Sequence, residues 1–205
     1  MNRRFLLAAL IAAPLVSLGG IAGAQNDVVS GINRYLSEMT SVSARFVQEN
    51  ADGSTSTGTF YMQKPGKMRF EYDPPSPAMV IADGEALAVY DRKSNRGPQV
   101  YPQSSTPLSL LSRQDIDVTK SRFVRLIETR NNQIFMMMFD PEEPDNGTML
   151  MIFDQNPIKL AGWVVADAAG SESRIVLQDL TTDISLESKL FSISYTNMLI
   201  RQGKL

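Results

Sequence analysis

The side chains that carry most acid-base, nucleophilic and metal chemistry are missing from this chain, which contains no histidine and no cysteine. Without imidazole it can form neither a Ser-His-Asp triad nor a histidine metal site. Without thiols it can form no disulfide, thiolate metal site or cysteine nucleophile. Only carboxylates, serines and lysines remain as catalysts, so we expect a protein that is not an enzyme and that has no catalytic residue, metal or cofactor.

The densest group of potential metal ligands is an acidic cluster that Pro141 and Pro144 interrupt: Asp140, Glu142, Glu143 and Asp145. Its spacing matches no calcium-binding loop, and a solvated hairpin explains it. The next three residues, Asn146-Gly147-Thr148, have the form of a glycosylation sequon, but an Asn-Gly pair between two apolar segments is typical of a tight turn. Both motifs therefore predict turns and not binding sites.

The amino terminus has the pattern of a Sec-type signal peptide over residues 1–24. Two arginines precede an apolar run, Phe5 to Leu18, and small residues, Ala22-Gly23-Ala24, follow it. An uncleaved membrane anchor is the alternative, but Pro14 interrupts the run, which is shorter than the roughly 20 residues that a spanning helix needs. We therefore expect one mature domain, residues 25–205, located in the periplasm.

The charge of the mature chain argues against two classes of partner. Removing Arg3 and Arg4 with the signal leaves 18 basic and 22 acidic residues, a net charge of −4. A mildly acidic surface does not suit nucleic acid. It also disfavours tight adhesion to anionic lipid headgroups. We expect a protein that binds no nucleic acid and that can leave a membrane surface.

The mature chain begins with one amphipathic helix and continues mainly as β-strands. Apolar residues recur at three- and four-residue steps over Asn26–Thr40, with Asn26 as the expected cap. Beyond this helix, apolar and polar residues alternate, and turn signals such as Asp83-Gly84 separate the alternating segments. Strands joined by successive hairpins form an antiparallel sheet. The predicted strands are Ser43–Glu49, Thr55–Gln63, Lys67–Tyr72, Ala78–Ala82, Ala86–Asp91, Arg122–Arg130, Gln133–Asp140, Gly147–Asp154, Lys159–Asp167, Glu172–Leu180 and Leu190–Ser194.

A second helical segment interrupts the strands. Thr106-Pro107-Leu108-Ser109-Leu110-Leu111 sets a capping hydroxyl, a first-turn proline and three leucines in sequence, which predicts a short helix. Neither helical piece can bury an apolar face alone, so both must cover part of the sheet. The two helices are therefore candidates for a lid.

Three late strands are apolar on both faces and do not alternate cleanly: Ile134–Phe139, Met149–Phe153 and Leu160–Val165. Both faces of such strands need shelter from water. One possibility is a sheet that protein covers on each side. The other is a concave face filled by lipid, since only two short helices are available as cover. The 11 methionines suit a surface that reshapes around variable apolar ligands, although ordinary core packing also explains them.

Several segments keep an order and spacing that are typical of one family: Ala44-Arg45-Phe46-Val47-Gln48, Gly58 to Pro65, Met68 to Tyr72, Val80 to Gly84, Thr106 to Leu111, Leu150 to Asp154 and Trp163 to Asp167. In these segments the chain resembles the outer-membrane lipoprotein carrier family, LolA. The resemblance implies an α+β fold that is mainly β, an unclosed β-barrel. In it, one strongly curved antiparallel sheet of about eleven strands has a concave apolar face beneath a helical lid.

The resemblance also implies a function. An ATP-driven transporter of the inner membrane releases a lipoprotein, the carrier shelters its acyl chains across the periplasm, and an outer-membrane acceptor receives it. Two alternatives on the same scaffold stay open, a lipid-binding periplasmic sensor and a carrier of another lipid. We expect the protein to act as a monomer.

An acyl-chain site is expected on the inner face of the first hairpins, on the lid and on the late apolar strands. The residues predicted to contact acyl chains are Phe60, Met62, Met68, Phe70, Leu108, Leu111, Met136, Met138, Met151 and Trp163. Plain core packing is the alternative for each of them.

Lys64 matches a family position often held by arginine, where the side chain hydrogen-bonds to backbone carbonyls of the lid and keeps the empty form shut. An ammonium lacks the planar fork of a guanidinium, so the predicted latch is either looser or made by another residue. A solvated turn lysine is the alternative for Lys64. The carboxyl end departs from the family, because Phe191-Ser192-Ile193-Ser194-Tyr195 does not continue into a proline-rich tail.

Overall fold

The computed structural model describes residues 19–94, 96–114, 116–167 and 169–205, with side chains from residue 26 onward. Residues 1–18, most of the predicted signal peptide, lie outside these ranges. The described helices are α1 (Gly19–Glu38), α2 (Leu108–Leu111) and α3 (Ile193–Arg201). The described strands are β1 (Ser41–Glu49), β2 (Thr55–Gln63), β3 (Lys67–Tyr72), β4 (Ala78–Asp83), β5 (Ala86–Asp91), β6 (Gln99–Pro102), β7 (Val124–Arg130), β8 (Gln133–Phe139), β9 (Thr148–Gln155), β10 (Ile158–Ala166) and β11 (Glu172–Thr182).

All eleven described strands form one antiparallel sheet in the order β6-β5-β4-β3-β2-β1-β11-β10-β9-β8-β7. Within each half, strands that follow each other in sequence are neighbours, as short connections favour. The two halves join where β1 pairs with β11. Strands β6 and β7 form the two edges of the described sheet and do not pair with each other. The predicted fold class, a single antiparallel sheet that does not close, is confirmed.

Alternation along the strands gives the sheet an apolar inner face. Phe60 and Met62 of β2 are fully buried, as are Met136 and Met138 of β8, whereas their sequence neighbours are only half buried. The sheet curves strongly around this face. Two strands separate Phe60 from Trp163 of β10, which would place them about 14 Å apart in a flat sheet, yet their ring centroids lie 5.2 Å apart.

Two helices lie over the inner face. Ile32 and Leu36 of α1, and Met39 directly after this helix, belong to the same buried cluster as the inward side chains of the sheet. Leu110 and Leu111 of α2 belong to it too. Each helix therefore buries its apolar stripe against the sheet, as an amphipathic helix must. The predicted arrangement of helices over an apolar concave face is confirmed.

A backbone irregularity in β10 attaches α1 to the sheet. The pairing of β10 with β9 shifts between Leu160 and Gly162, as it does at a β-bulge. The Leu160 amide donates a hydrogen bond to the Tyr35 hydroxyl of α1 at 3.0 Å. Gly162 has a φ of +157°, and a Cβ atom there would lie 2.1 Å from the Ile175 carbonyl oxygen of β11. Only glycine fits at this close approach of the two strands.

One predicted strand is wrong. Leu190–Ser194 contains instead the end of a 3-10 turn, Ser188–Phe191, and the start of α3. Ser192 Oγ accepts a hydrogen bond from the Tyr195 amide at 3.1 Å, so a serine that fits an alternating pattern caps a helix. The helix then packs on the outer face of the sheet, where Ile193 contacts a small buried cluster: Met79, Ile81, Ala88 and Tyr90.

Strand β6 was missed by the sequence prediction. All four of its residues are exposed, so no apolar period marks it. Because β6 is added and Leu190–Ser194 is removed, the described sheet still has the predicted eleven strands.

Two predicted helix caps are also wrong. Residues 19–25, which precede Asn26, already belong to α1, and the helix ends at Glu38. Asn26 therefore lies inside the helix and does not cap it. The Thr106 hydroxyl donates to the Gln103 carbonyl oxygen at 2.9 Å and makes no cap hydrogen bond to α2. The hydroxyl is already bonded within the preceding 3-10 turn.

We expect Gly162→Ala to lower the free energy of unfolding by about 2 kcal/mol or more, because the added methyl group meets the Ile175 carbonyl group. Gly97→Ala is the control, at an exposed glycine where no atom lies within 4 Å of the added carbon. Its effect should stay below about 1 kcal/mol. Urea denaturation measures both variants, and equal losses would show that the close approach of β10 to β11 does not require glycine.

Candidate functional site

The ten residues predicted to contact acyl chains lie together in one cluster on the inner face of the sheet. Nine of them are at most 4% exposed, and Leu108 is half buried against the same cluster. The structure therefore brings together side chains from β2, β3, β8, β9, β10 and α2. That these side chains contact acyl chains stays a prediction.

Aromatic side chains form one half of the cluster. Phe60 lies opposite Phe70 in the pairing of β2 with β3, and Met62 lies opposite Met68. Residues paired in this way point to the same face. The ring centroids of Phe60 and Phe70 are 4.7 Å apart, and Trp163 packs edge-on against Phe60. These contacts join β3 to β10 across the concave side.

Methionines form the other half. Met136 lies opposite Met151, and Met138 lies opposite Met149, in the pairing of β8 with β9. All four side chains are fully buried. Unbranched, polarisable thioether side chains can fill irregular shapes, so this half of the lining is suited to apolar groups of variable form.

A space of about 200 Å³ remains beside the cluster, where Leu108 of α2 faces Phe70 and Trp163. Its other lining residues are Gln48, Tyr72, Val80, Val165, Ser173 and Ile175. In this structure the side chains of the two helices fill most of the concave face.

Lys64, the predicted latch, reaches α1. Its Nζ atom donates a hydrogen bond to the Leu36 carbonyl oxygen, in the last turn of that helix, at 2.7 Å. Burial lowers the pKa of Lys64 to about 8, because desolvation disfavours the charged ammonium. The side chain therefore joins the turn between β2 and β3 to α1. That this bond keeps a lid shut stays a prediction.

Tyr35 and Asn33 also hold α1 in place through hydrogen bonds. The Tyr35 hydroxyl accepts from the Leu160 amide at 3.0 Å, and Asn33 Oδ1 accepts from the Val118 amide at 2.7 Å. Burial raises the pKa of Tyr35, so its hydroxyl keeps its proton at neutral pH. Few polar contacts hold α1, and most of its buried surface is apolar.

Sequence reasoning missed part of the cluster. Phe46 and Phe153 are fully buried within it, and both stand in strands whose alternation could have placed them there. Ile116, Val118 and Phe123 are also buried in it. They lie in a segment without regular structure, so no period marks them.

Charged side chains shelter the outer face of the late apolar strands. The guanidinium carbon of Arg130 lies 4.4 Å from the ring centroid of Phe135, and that of Arg125 lies 4.4 Å from the ring centroid of Phe139. Cation–π contact and the apolar stems of arginine cover such rings. The inner face of the same strands belongs to the main cluster.

Other chemistry is sparse in the described part of the chain. Within those residues no group of three or more acidic side chains is arranged to hold a metal ion, and Glu142 of the acidic cluster pairs with Arg122. No helix within the described ranges is both long enough and apolar enough to cross a bilayer.

Comparison with known proteins shows the family to which the chain belongs. Residues 37–194 match the family described as "Outer membrane lipoprotein carrier protein LolA". The chain is similar to the outer-membrane lipoprotein carrier protein of Methylococcus capsulatus, with 28% identity over 90% of this chain and 92% of the relative. It is also similar to that of Chromohalobacter salexigens, with 25% identity over 96% of this chain and 95% of the relative.

Among solved structures, the chain is similar to that of a LolA superfamily protein from Nitrosomonas europaea. It is 10% identical, has a TM-score of 0.43, and the match covers 83% of this chain and 98% of that chain.

The matched residues, 37–194, contain all eleven described strands, α2 and Lys64. They therefore include the curved sheet, nearly all of its apolar inner face and the turn that contacts α1. The chain belongs to the outer-membrane lipoprotein carrier family, LolA.

Proposed function

We propose that this protein is a carrier that shelters the acyl chains of lipoproteins destined for the outer membrane. The observation that carries the proposal is the continuous apolar inner face of an unclosed sheet, covered by helices that a few hydrogen bonds fasten. Membership of a family of lipoprotein carriers supports it. The activity is binding and release, without a catalytic step.

The energetics of the cargo require such a surface. Each CH₂ group moved out of water contributes about 0.8 kcal/mol, so exposing one long acyl chain costs on the order of 10 kcal/mol. A carrier must offer apolar contact along most of that length. Phe60, Phe70 and Trp163 provide it in one half of the site, and the buried methionines of β8 and β9 provide it in the other.

Acyl chains that lie along the concave face need the helices to move, because side chains of α1 and α2 now occupy that face. Leu110 and Leu111 of α2 occupy the inner face now. A bound acyl chain covers the apolar surface that these side chains leave. It therefore offsets the free-energy cost of exposing that surface to water. The ligand thereby shifts the population towards an open arrangement.

The route of the cargo is part of the proposal. Residues 1–24 act as a signal that directs the protein to the periplasm. An ATP-driven transporter of the inner membrane supplies the lipoprotein, and an outer-membrane acceptor receives it. The net charge of −4 for residues 25–205 supports this shuttling, since a mildly acidic protein is not retained by anionic lipid headgroups.

The mature protein, residues 25–205, should keep a triacylated lipoprotein in solution after detergent is diluted away, because the acyl chains enter the concave face. Ultracentrifugation followed by mass spectrometry of the supernatant measures this. The same lipoprotein with its acylated cysteine replaced by serine is the control and should bind at least about 100-fold more weakly. Equal binding of both forms would contradict the proposal, and binding of free diacyl lipid alone would assign a different cargo.

Leu108→Glu should weaken the binding of a neutral dye with a hexadecyl chain at least about tenfold, because the new carboxylate must lose water when the chain binds beside it. Leu126→Glu is the matched control. Leu126 lies on the outer face of β7, opposite Met137, and is 48% exposed, so the affinity should not change. Fluorescence titration measures both, and similar losses would show that the dye does not bind to the inner face.

Binding should also weaken as the pH rises from about 8 to 10.5. The pKa of Lys64 is about 8 in the present arrangement and returns to its ordinary value of 10.5 if opening exposes the side chain. Opening therefore takes up a proton in this range, and each pH unit favours the closed arrangement by up to about tenfold.

Fluorescence titration of the same neutral dye across this range measures the slope. Lys64→Met should remove the slope below about pH 9.5, where Tyr35, whose ordinary pKa is 10.0, still keeps its proton. A slope that persists in Lys64→Met would show that another group is responsible.

A further inference from the structure

A neutral polar side chain, Gln103, is buried where the chain passes from the sheet to the lid. It follows β6 and begins the 3-10 turn Gln103–Ser105, which leads to α2. It is only 3% exposed. Burial of a carboxamide is unfavourable unless its donors and its acceptor are paired. The groups that pair with Gln103 therefore hold in place the start of the segment that leads to α2.

The Gln103 carboxamide joins two turns of the sheet. Its Nε2 atom donates to the Gly66 carbonyl oxygen at 2.7 Å, in the turn between β2 and β3. Its Oε1 atom accepts from the Gly84 amide at 3.1 Å, in the turn between β4 and β5. A Cβ atom on Gly66 would lie 2.7 Å from Gly84 Cα, so the two turns touch. One side chain can bridge them because Gly66, which has no Cβ atom, lets the two turns approach this closely.

Ser112 holds the other end of α2 against the same turn. Its carbonyl oxygen accepts from the Gly66 amide at 3.1 Å, and its Oγ atom lies 3.5 Å from Gln103 Nε2. Ser112 is 1% exposed. Both ends of the segment that contains α2 are thus fastened at one glycine, Gly66.

The fastened segment covers the proposed acyl-chain site. Leu110 and Leu111 are buried in the inner-face cluster, and Leu108 lines the space next to Phe70 and Trp163. The hydrogen bonds on both sides of α2 hold these leucines over the concave face.

We infer that Gln103 and Ser112 form a neutral clasp that positions α2 over the concave face and sets how readily the lid opens for an apolar chain. The inference rests on the proposed carrier function. The clasp differs from the contact of Lys64 in chemistry, since an amide and a hydroxyl carry no charge, and in the helix that it holds, α2 instead of α1. The two fasteners act from the two ends of one short turn, Lys64 to Gly66.

Gln103→Met tests the clasp, because it keeps the length of the side chain but removes its donor and its acceptor. We expect the uptake rate of the neutral hexadecyl dye, measured by stopped-flow fluorescence with the mature protein, to rise about tenfold, since the closed arrangement loses two buried hydrogen bonds. Gln99→Met is the matched control, at an exposed position of β6, and should not change the rate. Equal uptake rates in the two variants overturn the clasp.

Amide hydrogen exchange in the unsubstituted protein tests the clasp independently. The Gly66 and Gly84 amides donate to Ser112 and Gln103, so loading with the dye should speed their exchange at least about tenfold, while amides of the central strands β1 and β11 keep their protection. Unchanged exchange at both glycines in the loaded protein overturns the clasp alone. Absence of any dye binding overturns the carrier proposal, and the clasp with it.

Discussion

An apolar concave face must be kept from water both with and without a ligand, and the rest of this structure depends on that constraint. The sheet curves until Trp163 of β10 meets Phe60 of β2, which creates a concave surface too large for the sheet to fill alone. Helices α1 and α2 supply the missing apolar groups, with Ile32, Leu36 and Leu111 among them. Their side chains occupy the inner face, where we propose that acyl chains bind. The apolar inner face that stabilises the protein without cargo is therefore the same surface that we propose binds the cargo.

The free energy of opening the site therefore has two contributions, one from apolar contacts and one from hydrogen bonds. In the proposed opening, the ligand covers the apolar surface that the helices leave, so the two apolar contributions cancel to a large extent. Hydrogen bonds that the helices make are not replaced by a hydrocarbon chain. Each contributes about 1 kcal/mol net, and those of Lys64, Tyr35 and Gln103 are few. We infer that the apolar lining determines affinity and that these polar contacts determine how readily the site opens.

The outer face of the sheet provides the rigid side of this arrangement. Arg69 is buried there, where it pairs with Glu71 and donates to the Leu190 carbonyl oxygen at 3.0 Å. This hydrogen bond fixes the carboxyl-terminal segment, and α3 then covers β4 and β5. Arginines cover the exposed rings of the other half. The elements proposed to move thus lie on the inner side, and the elements that brace the sheet lie on the outer side.

Local patterns in the sequence determined most of the strands and the inward set of side chains. A strand alternates its side chains every second residue, so Phe60, Met62, Met68 and Phe70 could be placed on one face before their partners were known. The absence of histidine and cysteine likewise limited the chemistry without any reference to the fold. The same local rule failed at Ser192, because a short alternating stretch does not distinguish a strand from a helix cap.

Only the tertiary structure decided what lies over the inner face and what fastens it there. Gln103 finds its partners at Gly66 and Gly84, and Lys64 finds its partner at Leu36, all far away in the sequence. Such pairs depend on how far the sheet curves, and curvature is the sum of small rotations between many neighbouring strands. No single segment carries that sum, so the sequence determined which side chains face inward and the assembled sheet decided what they meet.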